Sequence, residues 1–111
     1  MPAHPPLALL IGRRLRAARK AVGLSQVELG ALVGMDDKNA SPRLSRYERG
    51  EREPDAETLR ALGKALGLPP AYFLATSDPL AECILLIAKQ PMAKQKKLLE
   101  LIREHLGEGQ P

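Results

Sequence analysis

Residues 24–50 read LSQVELGALVGMDDKNASPRLSRYERG, and this stretch predicts two short helices set at an angle. Ser25 and Glu28 stand three apart, the spacing at which a capping box satisfies the first amides of a helix. Val27, Leu29, Leu32 and Val33 give that helix one apolar side. Gly34 ends it, because glycine enters the left-handed conformation at little steric cost. A polar bend follows over 35–40, including Asp36, Asp37, Lys38 and Asn39. Ser41-Pro42 then restarts helix, with serine as N-cap and proline at the first helical position, where a missing N–H is no loss. Gly50 closes this second helix. Leu44 and Tyr47 form its buried side and leave Arg43, Ser45, Arg46 and Arg49 open. A short helix with three arginines on its open side suits the major groove of double-stranded DNA, where arginine forks onto guanine O6 and N7.

On the N-terminal side, Ile11, Leu15, Ala18 and Val22 recur at helical spacing and predict a helix over 7–22. Arg13, Arg14, Arg16 and Lys20 crowd its other faces and read as a solvated surface. On the C-terminal side, Pro54-Asp55 opens a helix whose inner stripe is Leu59, Leu62 and Leu66, and Gly67 ends it. Pro69-Pro70 starts a short helix in which Tyr72, Phe73 and Leu74 close the core. Asp78-Pro79, as N-cap and first turn, predicts a sixth helix over 79–89 with a wide apolar surface of Leu80, Ile84, Leu85, Ile87 and Ala88. Gln90-Pro91 breaks it. A seventh helix runs to Leu106, with Leu98, Leu99, Leu101, Ile102 and Leu106 on its inner side and Lys94, Lys96 and Lys97 at its solvated start. The fold class is therefore all-α: a mobile arm at 1–6, a five-helix domain over 7–75, and a helical hairpin over 78–107.

The arrangement resembles the helix-turn-helix family of phage Cro and repressor proteins and their bacterial relatives. The resemblance rests on GLSQVELGALVG for the first motif helix, LSRYERG for the end of the second, and EREPDAETLRALGKALGLPPAYFL for the closing helices. With 11–23 as the opening helix it covers residues 7–75. It implies that the base-contacting places fall on Ser41, Pro42, Arg43, Ser45 and Arg46, and that Gln26 holds a DNA phosphate at a positive helix end. It also implies an ion pair between Arg19 and Glu48 that joins the opening helix to the reading helix. Arg49 and Arg52, near or past the end of that helix, suit phosphates, and Lys38 and Asn39 reach phosphates from the bend. One departure stands out: the usual link between motif helices is about 3–4 residues, whereas 34–41 is longer.

Composition narrows the alternatives. A formal net charge of +4 and a pI near 9.5 fit a nucleic-acid binder, although many proteins of other function are mildly basic. Two tyrosines, one phenylalanine and no tryptophan supply no stacking platform for single strands. Cys83 is the single cysteine, which excludes an internal disulfide and fits a reducing cytoplasm. No Cys/His spacing suggests a metal site, no cofactor motif occurs, and no triad or paired carboxylates suggest an enzyme. No apolar run approaches the ~20 residues that span a bilayer. The expected function is a transcriptional regulator, a repressor, that binds a palindromic operator as a homodimer held by the hairpin. Two other functions fit the same residues: the antitoxin of a toxin–antitoxin pair, whose hairpin holds a protein partner, and an interaction adaptor that kept the fold without reading DNA.

Overall fold

A computed structural model describes residues 6–108, and among them the chain forms seven helices and no strand. These are α1 (Leu7–Ala21), α2 (Gln26–Leu32), α3 (Asp37–Glu48), α4 (Ala56–Leu66), α5 (Pro70–Leu74), α6 (Asp78–Ala88) and α7 (Met92–Leu106). The arm expected at 1–6 lies outside the described residues except for Pro6. The Pro6 carbonyl accepts from the amides of Leu9 and Leu10 and so begins α1.

Helices α1–α5 close around one aliphatic core. Ile11 and Leu15 of α1, Leu29 of α2, Leu44 and Tyr47 of α3, Leu59, Leu62 and Leu66 of α4, and Phe73 of α5 are buried together. Met35, Val33 and Tyr72 pack on its edge. Two glycines set how closely the helices approach. A Cβ on Gly12 would lie 2.3 Å from the Tyr47 carbonyl oxygen and 2.6 Å from that of Glu48, so α1 crosses directly over the end of α3. A Cβ on Gly30 would lie 2.4 Å from the Cβ of Ala40, which brings α2 against the start of α3.

Several expectations need correction. The largest concerns α3, which begins at Asp37 rather than Ser41, with Asp36 as its N-cap. Burial explains the shift. Ala40 is fully buried against Gly30, and the helical backbone at 37–40 carries it there. The expected bend thus shrinks to the short turn at 34–36, and the additional residues lengthen the helix. Val22, Val27, Leu32 and Leu74 are exposed rather than inward. Ser77, not Asp78, caps α6, its hydroxyl accepting from the Leu80 amide. Arg14 is buried rather than solvated.

Helices α6 and α7 extend from this body. The only buried residue of α6 is Ala81, and α7 has none, so its expected inner side is uncovered within one chain. The radius of gyration is 16.2 Å, against about 13 Å for a compact chain of this length. Gln95 fixes the hairpin, its amide donating to the carbonyls of Ile87 and Gln90 at the end of α6.

Gly12→Ala tests the α1–α3 crossing. Alanine gains about 1 kcal/mol of helix propensity over glycine, but the atoms it meets are backbone and cannot rotate away. We expect a net loss of roughly 1–3 kcal/mol, read as a fall in Tm of about 5–15 °C. An unchanged or raised Tm would mean that the two helices are not held at this distance.

Candidate nucleic-acid interface

At 100° per residue, α3 divides into three strips. Ala40, Leu44, Tyr47 and Glu48 face inward and are buried. Lys38, Asn39, Pro42, Arg46 and Arg49 face outward, and all are exposed. Ser41, Arg43 and Ser45 lie between and are half-buried. Pro42 sits in the second turn of the helix, not at its first position. It therefore removes the amide that would donate to the Lys38 carbonyl, a loss tolerable because that outward carbonyl reaches water.

A polar network fixes this helix from behind. Arg19 donates from Nε to Glu48 Oε2 at 2.6 Å and from Nη2 to Oε1 at 3.0 Å. Its third nitrogen donates to the Leu24 carbonyl at 2.8 Å. Gln26 Nε2 donates to Glu48 Oε1 at 3.2 Å, and Ser41 Oγ donates to Gln26 Oε1 at 2.7 Å. The network thus ties the end of α1 and the start of α2 to two points on α3 about two turns apart. The hydrogen bonds to Glu48 raise the Arg19 pKa above its ordinary value. Among the described residues, no buried side-chain polar atom lacks a partner.

The sequence offers Arg19 and Glu48 as an ion pair but Gln26 and Ser41 only as separate DNA contacts, and that all four form one assembly emerges from the structure. A signal for the longer helix was present: Ala40, Leu44 and Tyr47 follow i, i+4, i+7, a stripe that starts before Ser41. The Ser-Pro pair concealed it.

The remaining arginines differ in their freedom. Arg43 Nε donates to the Tyr47 hydroxyl at 3.1 Å, and its guanidinium lies 5.9 Å from that ring's centroid. Arg49 donates to the Ser45 hydroxyl and pairs with Glu51, Nε to Oε2 at 2.5 Å. The hydrogen bond raises the Arg49 pKa and holds that of Glu51 below the usual carboxylate range. Arg46 is exposed, and its charge adds to the lowering at Glu51. Asp55 is lowered chiefly by the Thr58 amide that caps α4, with smaller contributions from Arg43 and Arg52. Glu28 is lowered by its hydrogen bond from the Ser25 amide, half of the capping box that starts α2. Lys38 and Asn39 stand on the first turn of α3 rather than in a bend. No grouping of His, Cys, Asp and Glu among the described residues could hold a metal ion, and no described helix is long and apolar enough to cross a membrane.

Two helices joined by a short turn, the second carrying an open basic strip, agree with a family comparison in which a helix-turn-helix model matches residues 15–73. The chain belongs to the helix-turn-helix family. Repressor protein C2 of Salmonella phage P22 is 43% identical over 65 residues, which cover 59% of this chain and 28% of that repressor's length. This helix-turn-helix chain thus matches little more than a quarter of the phage protein. The crystal structure of the transcriptional regulator BswR superposes with a TM-score of 0.75 at 41% identity and covers 84% of this chain and 92% of that one. That share exceeds what α1–α5 alone can supply, so the likeness extends into the hairpin. The P22 c2 repressor in complex with a synthetic operator superposes with a TM-score of 0.53 at 40% identity, over 60% of this chain and 96% of that one. These relatives are regulators and not enzymes.

Glu48→Leu should leave the Arg19 guanidinium buried without its carboxylate and cost about 3 kcal/mol. Chemical denaturation of the single variant and of Arg19→Met/Glu48→Leu checks this, with the double variant recovering part of the loss. A single-variant loss below ~1 kcal/mol, the surface-pair range, would show that the pair is not a clamp.

Proposed function

We propose that this protein is a sequence-specific, double-stranded DNA-binding transcriptional regulator, a repressor, that acts as a homodimer on a palindromic operator. The observation that carries the reading is that α3 is fixed from behind by a satisfied polar network while its outward strip stays open. Asn39, Pro42 and Arg46 follow one another at spacings of three and four along that strip. Arg46 can fork onto guanine and Asn39 onto adenine N6 and N7, each worth about 1–3 kcal/mol of discrimination. Pro42 offers an apolar contact to a thymine methyl between them. Arg43 and Ser45 reach base edges from the flanks, and Ser41, held by Gln26, supports the strip. Lys38, Arg49, Arg52 and the start of α2 at Gln26 take phosphates. The likeness to the P22 c2 repressor, solved in complex with a synthetic operator, supports double-stranded DNA as the partner.

The hairpin supplies the dimer. On α7 the residues Met92, Leu98, Leu99, Leu101, Ile102 and Leu106 span about half of the helix circumference, and none is buried. A helix of 15 residues is marginal in water without tertiary packing. An apolar groove of about 330 Å³ opens between α6 and α7, lined by Cys83, Leu86, Ile87, Leu98 and Ile102. A second copy carries the same face, and a self-complementary surface is what a two-fold dimer requires. Two reading helices must then sit about 34 Å apart, or a multiple of that, to meet successive major grooves. Action on DNA places the protein in the cytoplasm.

The same uncovered face supports one further reading, an antitoxin that holds a small protein on its hairpin. An adaptor that does not read DNA would enrich no sequence at all.

Selection of bound sequences from a random duplex pool should yield a palindromic motif, and Arg46→Ala and Asn39→Ala should each relax one position of it. Lys38→Ala or Arg49→Ala should weaken binding to all sequences alike. Affinity should fall steeply with salt as counterions are released. Recovery of no motif would overturn the reading.

In sedimentation, Leu99→Glu/Leu106→Glu should convert the dimer to a monomer. A monomeric unmodified chain that sediments with a different small protein would favour the antitoxin.

A further inference from the structure

We infer that Arg14 sets the angle at which α6 and α7 leave the helix-turn-helix body, and so fixes the half-site spacing that the dimer accepts. The inference rests on the proposed dimerisation through the hairpin.

Arg14 lies on the first helix, yet its partners lie in α5, just after it, and at the first residue of α6. Its Nη1 donates to the Ala75 carbonyl and its Nη2 to Asp78 Oδ1 at 3.1 Å. The guanidinium lies 5.8 Å from the centroid of the Tyr72 ring. One planar fork therefore holds the residue after α5 and the first residue of α6 together, a geometry that lysine cannot reproduce. Burial is lopsided. The Arg14 side chain is 7% exposed and the Asp78 side chain 96%. A guanidinium taken out of water toward a solvated carboxylate gains little net stability, whereas it restricts the joint strongly.

Beyond the packing of α5 on the first turns of α6, little else restricts it. Ala81 is the only buried residue of α6, and it lies beside Arg14 in the same hollow with Leu10 and Tyr72. Farther along, an open cleft of about 330 Å³ separates Leu85, Ala88 and Lys89 of α6 from Gly63, Leu68 and Pro69. The hairpin is thus pinned at one end with room to swing at the other. A lever ~16 Å long, the length of α6 from the pinned Asp78 at 1.5 Å per residue, moves its tip by about 3 Å for a 10° rotation. That is close to one base-pair step of about 3.4 Å. A small change at Arg14 is enough to shift the partner's reading helix off its half-site, and simultaneous engagement is lost when geometry forbids it.

The experiment uses the full chain, two copies of the half-site recovered by selection, and a set of duplexes in which the spacer between them varies one base pair at a time. The unmodified dimer should prefer one spacing over its neighbours by roughly tenfold. Arg14→Lys and Arg14→Met should keep the affinity for a single half-site and the dimer, while the preference drops to about threefold or less. Asp78→Ala removes an exposed carboxylate and leaves the core intact, so it serves if the Arg14 variants do not fold. It should relax the preference in the same direction. Dimeric variants with an unchanged spacing preference overturn the inference alone. An unmodified chain that is monomeric overturns the dimer reading and this inference with it.

Discussion

The carboxylate of Glu48 faces a buried guanidinium on one side and the amide of Gln26 on the other, and this pairing constrains everything around it. A buried charge without its partner is costly, so Arg19 and Glu48 must meet. Their meeting requires α1 to cross α3 where Gly12 allows the backbones to touch. It also brings the start of α2 to the same point through Gln26, which in turn holds Ser41 about two helical turns earlier. Once these contacts are made, α3 has one orientation, and the strip opposite them has nowhere to face but outward.

Five helices, their order and most of the core were legible in the sequence, because apolar spacing and caps carry that information directly. Ser25 with Glu28, Asp55 before α4, and Gly67 after it fixed helix ends without any tertiary knowledge. The start of α3 was not legible in the same way. Ser41-Pro42 has the chemistry of a helix beginning, and propensity alone prefers to start there. What overrides it is the burial of Ala40 against Gly30, a contact between helices that no local rule contains. The consequence for the interface is direct: Asn39 moves from a bend onto the outward strip, three residues before Pro42.

Arg14 was illegible for a related reason. Five basic residues crowd α1, and only tertiary placement separates those that are solvated from the two that are buried. Arg19 turns toward α3, whereas Arg14 turns toward the α5–α6 joint. The apolar half of α7 illustrates the opposite case, a face whose pattern was plain and of which no residue is buried within the chain. On the proposed function, stability, reading and assembly are divided among Arg19, the strip of Arg46, and the joint at Arg14.

The proposed function requires the outward strip of α3 to meet DNA while the hairpin does not. Backbone-amide NMR of the labelled full chain, titrated with a short duplex, tests this directly. Shifts concentrated at 38–49 and at the start of α2, with those of 78–107 nearly unmoved, are the predicted result. Shifts confined to α6 and α7, or none at all, would contradict it.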